Sequence, residues 1–136
     1  MPFIWNSRVR FVDTDASGRI HYTAMLRHFE AAEQEFFRSF GVSYTDPRSH
    51  EYGFPRVHVE CDYTGYVTND DMLAIAVTVD RIGHASFTLG FDVTVEGRHV
   101  AKGIIVIACV SFETRRARPM PEEFVAMLKR AEAASE

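Results

Sequence analysis

The sequence predicts an α+β fold in which a five-stranded antiparallel sheet wraps around one long central helix, followed by a short C-terminal helix. Three observations lead to this prediction. An early segment repeats apolar side chains at helical spacing, the later segments alternate as strands do, and those strands follow one another without intervening helices. Helices and strands that are segregated along the chain favour α+β over a parallel α/β arrangement.

Length and composition fit one globular domain that spans residues 1–136. The chain has 136 residues, of which 46% are hydrophobic and 25% are charged, and these values exclude disorder, collagen and coiled coil. The net charge of −4 is a poor match for the phosphates of nucleic acids. The longest apolar stretch, residues 103–110, is far shorter than the ~20 residues that cross a membrane, so we expect no membrane insertion.

The N-terminus lacks the pattern of a signal peptide, so a cytoplasmic protein is the expectation. Cys61 and Cys109 both lie in strand-like apolar segments, which favours buried free thiols over a disulfide. The sequence contains no motif for a metal site or a phosphate-binding loop. We therefore expect neither a metal nor another cofactor.

The first strand and the long helix are predicted in the N-terminal part of the chain. Residues 3–12 place most of their apolar side chains on one parity, and a cluster of turn formers follows. From residue 22 to residue 40 the period becomes helical, and Gly41 stands where a helix would end. The apolar stripe consists of Met25, Phe29, Ala32, Phe36 and Phe40. The exposed face is predicted to carry Arg27, Glu33, Glu35 and Arg38.

Four further strands and a second helix are predicted in the rest of the chain. Apolar residues that alternate or run continuously mark strands at residues 55–64, 72–81, 85–96 and 100–112. Gly97 and Arg98 form a candidate hairpin turn. After the last strand, an irregular basic segment leads into a helix at residues 121–131 that begins with proline.

The densest group of polar residues lies between the first strand and the long helix, and it contains Asp13, Asp15, His21 and Tyr22. The N-terminus of a helix offers unpaired backbone N–H groups that can hold a developing oxyanion. A carboxylate nearby can attack an acyl carbon or activate water. The same residues also suit a plain turn in which the aspartates cap the helix. From these residues alone both interpretations stay open.

Two segments carry a resemblance to a known family. The string DTDASGRIHYTAMLRHFEAAEQEFF resembles the signature of the 4-hydroxybenzoyl-CoA thioesterase group of hotdog-fold acyl-CoA thioesterases. GFPRVHVECDYTGYVTNDDML resembles the second strand of that family and the entry into its third. The resemblance implies a hotdog fold and the hydrolysis of a thioester of CoA or of acyl carrier protein. It also implies a homo-oligomer, a dimer or tetramer, with sites at the subunit interface.

The resemblance assigns roles to the polar loop residue by residue. Asp15 matches the catalytic aspartate of the family, which acts as nucleophile or general base, and Asp13 matches a structural one. Tyr22 matches the position whose backbone N–H stabilises the oxyanion. His21 and Tyr22 stand in the reverse of the order that many members have, so a role for the His21 imidazole is a separate expectation. Apart from the resemblance, Tyr63 is a candidate wall of the acyl pocket and is expected to contact the substrate.

Further candidates lie outside this loop. A CoA phosphate is expected to meet Arg115, Arg116 and Arg118, whose guanidinium groups suit phosphate, although a solvated surface segment is the equal alternative. His58 lies on the polar side of its strand and is a weaker candidate for substrate contact. The phenylalanines of the long helix are interpreted as core first and as wall of an acyl pocket second. His28, His50 and His99 are expected at the surface.

Two other functions stay open. A hotdog dehydratase or hydratase would pair a carboxylate, Glu30 or Asp15, with an imidazole, His21 or His58. A protein that binds acyl groups without catalysis would keep the fold alone. The nature of the acyl group, aromatic or medium-length aliphatic, does not follow from the sequence.

Overall fold

The structure is a computed structural model, and it describes residues 1–42 and 51–135. Seven strands and two helices follow one another in these ranges, with a short 3₁₀ turn at Phe11–Asp13. The elements are β1 (Phe3–Arg8), α1 (Ala24–Ser39), β2 (Tyr52–Gly53), β3 (Arg56–Tyr63), β4 (Met72–Ile82), β5 (Ser86–Val95), β6 (Arg98–Ala108), β7 (Val110–Ser111) and α2 (Glu122–Ala134). His50, predicted at the surface, lies outside the described residues.

The main sheet has five antiparallel strands in the order β1-β4-β5-β6-β3. Successive hairpins join β4, β5 and β6, so β1 and β3 form the two edges. A second, two-stranded sheet pairs β2 with β7. The long helix α1 packs on one face of the main sheet, and the predicted fold class is confirmed.

The centre of the core is the contact of α1 with the middle of the sheet. Phe29 is fully buried and stacks on Phe91 of β5, with ring centroids 4.7 Å apart. Gly103 of β6 leaves room for this ring, because a Cβ atom there would lie 2.2 Å from the Phe29 side chain. Most of the predicted stripe is buried with it: Met25, Ala32 and Phe36.

Three differences from the sequence predictions change how a segment is classified or where a turn lies, whereas other element ends, such as that of α2 at Ala134, differ by up to three residues. The first strand stops at Arg8, and Phe11, predicted within it, lies in the 3₁₀ turn with 80% of its surface exposed. The segment predicted as one strand at 100–112 is interrupted at Cys109, which lies between β6 and β7, although its N–H still donates to the carbonyl of Ala85 beside β5. The hairpin turn lies at Glu96 and Gly97 rather than Gly97 and Arg98, since these two residues have the positive φ angles of a type I′ turn.

The predicted exposure of Glu33 is wrong, whereas the prediction of free cysteines is confirmed. Glu33, predicted on the exposed face of the helix, is 2% exposed because its carboxylate pairs with Arg56 across the gap between α1 and β3. A charge that leaves water needs such a partner, and the apolar pattern of one helix does not reveal it. Both cysteines are free, as predicted; Cys109 is buried and Cys61 is half-buried.

Across the described residues, neither helix is long and apolar enough to span a bilayer.

Candidate active site

The loop between β1 and α1 folds back on itself around Asp15. The backbone N–H of Asp15 donates to the carbonyl of Arg19 at 2.8 Å, and the N–H of Gly18 donates to the carbonyl of Asp15 at 3.0 Å. Gly18 has a φ of +83°, a conformation that glycine adopts without strain. The loop therefore presents the Asp15 side chain at the tip of a tight, hydrogen-bonded turn.

The Asp15 carboxylate is held by one of its two oxygens. Oδ1 accepts the hydroxyl of Ser17 at 2.6 Å and the backbone N–H of Ser17 at 2.8 Å. These bonds, the hydroxyl first, lower the pKa of Asp15 below its ordinary value of 3.8. Oδ2 makes no hydrogen bond to any described residue. The group is thus an ionised carboxylate with one oxygen anchored and the other open to solvent at neutral pH.

The backbone N–H of Tyr22 lies just before the first turn of α1. The neighbouring groups are used: His21 N–H donates to the carbonyl of Asp13 at 2.7 Å, and Ala24 N–H donates to the carbonyl of His21 at 2.9 Å. The N–H of Tyr22 has no acceptor within residues 1–42 and 51–135. An unpaired backbone donor at a helix N-terminus is suited to an incoming oxyanion.

The His21 side chain is hydrogen-bonded to Thr23 at the start of the helix. Its Nδ1 accepts the backbone N–H of Thr23 at 3.2 Å and lies 2.8 Å from the Thr23 hydroxyl. The imidazole ring also stacks on the Tyr22 ring, with centroids 4.7 Å apart. These contacts fix the ring as part of the helix N-terminus.

Tyr63, at the end of β3, joins the same site. Its hydroxyl donates a hydrogen bond to the backbone carbonyl of Tyr22. Burial raises the pKa of Tyr63, so the phenol remains protonated and can donate. The end of β3 is thereby tied to the N-terminus of α1.

Asp15, Tyr22 and Tyr63 line one cleft of about 580 Å³. The structure thus brings together three of the residues singled out in the sequence. The cleft is completed by Ser17, Arg19, Ile20, Thr64, Gly65, Tyr66 and Val67. Arg19 was not among the residues predicted from the sequence. Its guanidinium lies 5.3 Å from the centre of the Tyr66 ring and adds a positive charge to the cleft. Its position directly after Gly18, in the loop that carries Asp15, was the feature of the sequence that could have placed it near the site.

The other predicted site residues lie elsewhere in the chain. His58 is on the outer face of β3, and its Nε2 is 3.0 Å from the Glu60 carboxylate. Arg115 and Arg116 are exposed in the turn after β7, and the Arg118 guanidinium packs over the Tyr52 ring at 4.7 Å. This basic segment neighbours the start of β3, whereas Tyr63 is at its end, about 23 Å away along an eight-residue strand.

A second cavity of about 260 Å³ lies near the C-terminal end of α1. Its walls are largely aromatic, and Arg56 contributes the charged group. The aromatic residues are Phe37, Tyr52, Phe54, Phe87, Phe112 and Phe124. Because α1 has 16 residues, this cavity is roughly 20 Å from Asp15 within one chain.

His28 is not at the surface as predicted, since it is only 7% exposed. Its ring lies between α1 and β1, with Nε2 3.0 Å from Asp13 Oδ2 and Nδ1 2.6 Å from Ser7 Oγ. A helical wheel places His28 beside the apolar stripe, but its polar partners come from two other segments. Among the described residues no group of His, Cys, Asp and Glu side chains could hold a metal ion.

The chain is similar to known proteins over nearly its whole length. The sequence profile of the thioesterase-like superfamily matches residues 9–128. The 1,4-dihydroxy-2-naphthoyl-CoA hydrolase of Nostoc punctiforme is 30% identical over 133 residues, which cover 95% of this chain and 88% of that protein.

Two solved structures have the same fold. A hypothetical protein of Aquifex aeolicus superposes with a TM-score of 0.87 at 29% identity and covers 93% of this chain and 99% of its own. A 1,4-dihydroxy-2-naphthoyl-CoA thioesterase of Synechocystis gives a TM-score of 0.88, covering 95% and 96%. At 18% identity this second likeness concerns the fold alone. The chain therefore belongs to the thioesterase-like superfamily and is a hotdog-fold thioester hydrolase.

Proposed function

We propose that this protein is an acyl-CoA thioesterase in which Asp15 attacks or activates water and the Tyr22 N–H stabilises the oxyanion. The observation that supports this most is their meeting in one cleft. Asp15, an ionised carboxylate with a free oxygen, and Tyr22, whose backbone N–H is unpaired among the described residues, both line the same cleft. Thioester hydrolysis needs these two elements and no metal.

The proposed reaction begins with the thioester carbonyl oxygen at the Tyr22 N–H. In the general-base route, Asp15 Oδ2 takes a proton from water while the water oxygen bonds to the acyl carbon. The carbonyl electrons move onto oxygen and form the oxyanion. When the carbonyl re-forms, the C–S bond breaks and CoA leaves as thiolate, which then takes the proton from Asp15. A thiol has a pKa of about 8.5, so its departure needs no strong acid.

In the nucleophilic route, Asp15 itself bonds to the acyl carbon and expels the thiolate, giving an anhydride that water then opens. The two routes differ in the source of oxygen. During a single turnover in ¹⁸O-labelled water, the general-base route puts ¹⁸O into the released acid. Water attack on the Asp15 side of an anhydride instead leaves ¹⁶O in the acid of the first turnover.

An aromatic acyl group is the proposed substrate class. The cleft beside Asp15 has three tyrosines in its wall, Tyr22, Tyr63 and Tyr66, and their rings can stack on a flat acyl group. The similarity to a 1,4-dihydroxy-2-naphthoyl-CoA hydrolase supports the same class. Release of free thiol from aryl-CoA and alkyl-CoA esters tests it. We expect kcat/KM to be highest for bicyclic or hydroxylated aryl esters.

The alternative functions give different results in that assay. Hydration of an enoyl-CoA without thiol release would support the dehydratase alternative, and binding of aryl-CoA without any reaction would support an acyl-binding protein. The dehydratase alternative has little support in the contacts. His58 is bonded to Glu60 on the outer face, and Nδ1 of His21 is bonded to Thr23.

We further propose that two copies pair through β3. This strand is an edge of the sheet, and Val57, Val59 and Tyr63 expose apolar surface along it. An open, apolar edge is a template for pairing with another chain. In an antiparallel pair related by a two-fold axis, the start of one β3 lies beside the end of the other. Ile104 and Val106, partly exposed on the outer face of β6, offer a second contact for the predicted homotetramer.

This pairing gives the basic segment a role in CoA binding. Within one chain, Arg115, Arg116 and Arg118 are near the start of β3, far from Asp15. In the antiparallel dimer the basic segment of the partner subunit approaches the cleft. There it would meet the CoA phosphates together with Arg19 of the first subunit, since guanidinium groups pair well with phosphate.

Mixed dimers test whether the arginines act across the interface. One parent carries Asp15→Asn and the other carries Arg115, Arg116 and Arg118 replaced by Ala. We expect the mixed dimer to regain one site with the wild-type KM for CoA esters, because Asp15 and the arginines come from different subunits. A mixed dimer whose only active site keeps the high KM of the triple variant would contradict this arrangement. A pantetheine ester, which lacks the nucleotide phosphates, serves as the control substrate.

A further inference from the structure

A buried chain of polar side chains lies beneath the loop that carries Asp15. Ser7 of β1, His28 of α1 and Asp13 of the 3₁₀ turn follow one another at hydrogen-bond distance. Ser7 Oγ is 2.6 Å from His28 Nδ1, and His28 Nε2 is 3.0 Å from Asp13 Oδ2. Asp13 and His28 are both buried and Ser7 is partly so.

Asp13 links this row of hydrogen-bonded side chains to the rest of the loop. Its carboxylate also accepts the backbone N–H of Arg10 at 2.8 Å and a guanidinium N–H of Arg27 at 3.1 Å. Burial by itself raises the pKa of Asp13, but the hydrogen bonds from Arg10, His28 and Arg27 lower it further than burial raises it. The carboxylate is therefore ionised and gathers donors from the end of β1 and from α1.

The backbone of Asp13 connects this hydrogen-bonded network to the proposed catalytic groups, Asp15 and the Tyr22 N–H. Its carbonyl accepts the N–H of His21, the residue directly before the Tyr22 donor. Along the chain, Asp13 precedes Asp15 by two residues, and the turn around Asp15 closes immediately afterwards. A shift of Asp13 relative to α1 would thus change the separation of the Asp15 carboxylate and the Tyr22 N–H.

We propose that His28 is a positioning residue that, through Asp13, fixes the Asp15 loop against the N-terminus of α1. The proposal rests on the proposed thioesterase function for its kinetic consequence, though not for its structural one. His28 lies on the central helix α1 and contacts both Ser7 of β1 and Asp13 of the loop. Its two ring nitrogens let one side chain bond Asp13 and Ser7 at the same time.

The same three residue types form nucleophilic triads in other enzymes, and the surroundings argue against that role here. A nucleophile needs a space for substrate beside it. Neither the cleft beside Asp15 nor the aromatic cavity is lined by Ser7 or His28. The network thus lies outside both of these cavities, and the His28 ring is bonded on its two sides to Ser7 and Asp13.

Three variants of one residue separate the two hydrogen bonds of the ring. His28→Gln can place an amide N–H near the position of Nε2 and keep the bond to Asp13. His28→Asn places its amide near the position of Nδ1 and keeps the reach to Ser7 only. His28→Phe keeps the ring shape and removes both bonds. Circular dichroism and thermal unfolding establish that each variant is folded before it is assayed.

We expect kcat for an aryl-CoA ester to fall about 10²-fold in His28→Phe and His28→Asn, because a small misplacement of reacting groups is costly. KM should change by less than about threefold, since the cleft walls are untouched. His28→Gln should recover most of kcat. Folded Phe and Asn variants with wild-type kcat would overturn the proposal, and so would a Gln variant as impaired as the Phe variant.

Hydrogen exchange tests the same inference without any substrate. In His28→Phe, the amides of Asp15, Gly18 and His21 should exchange about tenfold faster than in the wild type. The amides of β5 and β6 should keep their rates, which separates local loosening of the loop from global destabilisation. Unchanged exchange in the loop would overturn the proposal even if the protein hydrolysed no thioester. A wild-type protein without thioesterase activity, but with the expected exchange, would refute the proposed function alone.

Discussion

At the scale of single residues, Ser17 decides how easily Asp15 takes up a proton. Its hydroxyl and its backbone N–H both donate to one carboxylate oxygen, and Asp15 is otherwise open to solvent. Hydrogen bonds to the charged form of a carboxyl group lower its pKa. The Ser17 hydroxyl thus keeps the proposed base ionised to lower pH than a free aspartate.

Ser17→Ala should therefore raise the pKa of Asp15 towards its ordinary value. The acid limb of the pH profile of kcat/KM reports this group in the free enzyme. Because protonation of Asp15 removes the base, the limb should move to higher pH in the variant. Ser86→Ala, far from the loop on β5, is the matched control. An acid limb at the same pH in both variants would show that Asp15 does not control the profile.

At the scale of elements, the fit of α1 to the sheet depends on the absence of a side chain at Gly103. The Phe29 ring occupies the place where a Cβ would stand, and Glu60 of β3 closes the other side with its carbonyl oxygen 3.2 Å from that position. Neither neighbour can move easily, because Phe29 also stacks on Phe91. In a close-packed core, an added methyl group therefore displaces its neighbours and strains the packing of α1 on the sheet.

Gly103→Ala should lower the free energy of unfolding by about 1–3 kcal/mol, the usual cost of overpacking. Urea denaturation followed by circular dichroism measures this loss. Lys102→Ala, on the solvent face of the same strand, should stay within about 0.5 kcal/mol of the wild type. Equal stability of Gly103→Ala and the wild type would mean that α1 sits differently on β6.

The same scale shows which parts of the structure follow from local sequence. The helix stripe through Phe29 and the alternation of β5 depend on period alone, so both were predictable. The end of β1 was not, because it depends on residues distant in sequence: Val9 is the last residue bonded to the segment before β4, through Asp70 and Asp71, and Asp70 turns away with a positive φ. The two-residue pair β2 and β7 is too short to give a periodic signal.

In the candidate site, too, the residues recognised by a local pattern were predicted and those that depend on distant partners were not. Asp15 and Tyr22 are predicted because they match a family signature, and Tyr63 is predicted as an aromatic wall of the acyl pocket; all three line one cleft. His28 and Glu33 were misplaced at the surface, since the charges and hydrogen bonds that bury them come from Asp13 and Arg56 in other segments. Long-range polar partners leave no trace in the period of one helix.

At the scale of the whole molecule, the apolar surface along β3 is the feature on which the proposed dimer depends. Val59 and Tyr63 pair with Ile105 and Ala101 of β6, which are buried in the core, yet each remains 43% exposed. Val59 lies in the middle of this edge, opposite Ile105. The edge provided by β1 has Ile4 at an equally exposed position.

Val59→Arg should convert the proposed dimer into a monomer, because two arginines would meet at the two-fold axis. Sedimentation velocity measures the change in mass, and KM for CoA esters should rise in the monomer. Ile4→Arg, on the opposite edge, should leave the mass unchanged. A Val59→Arg protein that sediments like the wild type would exclude β3 as the interface.

The most direct measurement is the kcat of Asp15→Asn for the best aryl-CoA ester, with free thiol as the readout. Asparagine keeps the size of the side chain and its contact with Ser17 but can neither accept a proton nor attack the acyl carbon. We predict that kcat falls by about 10²–10⁴-fold while KM stays within about threefold. Asp92→Asn, an exposed aspartate on β5, should retain full activity. Wild-type hydrolysis by the Asp15→Asn protein would contradict the proposed role of Asp15.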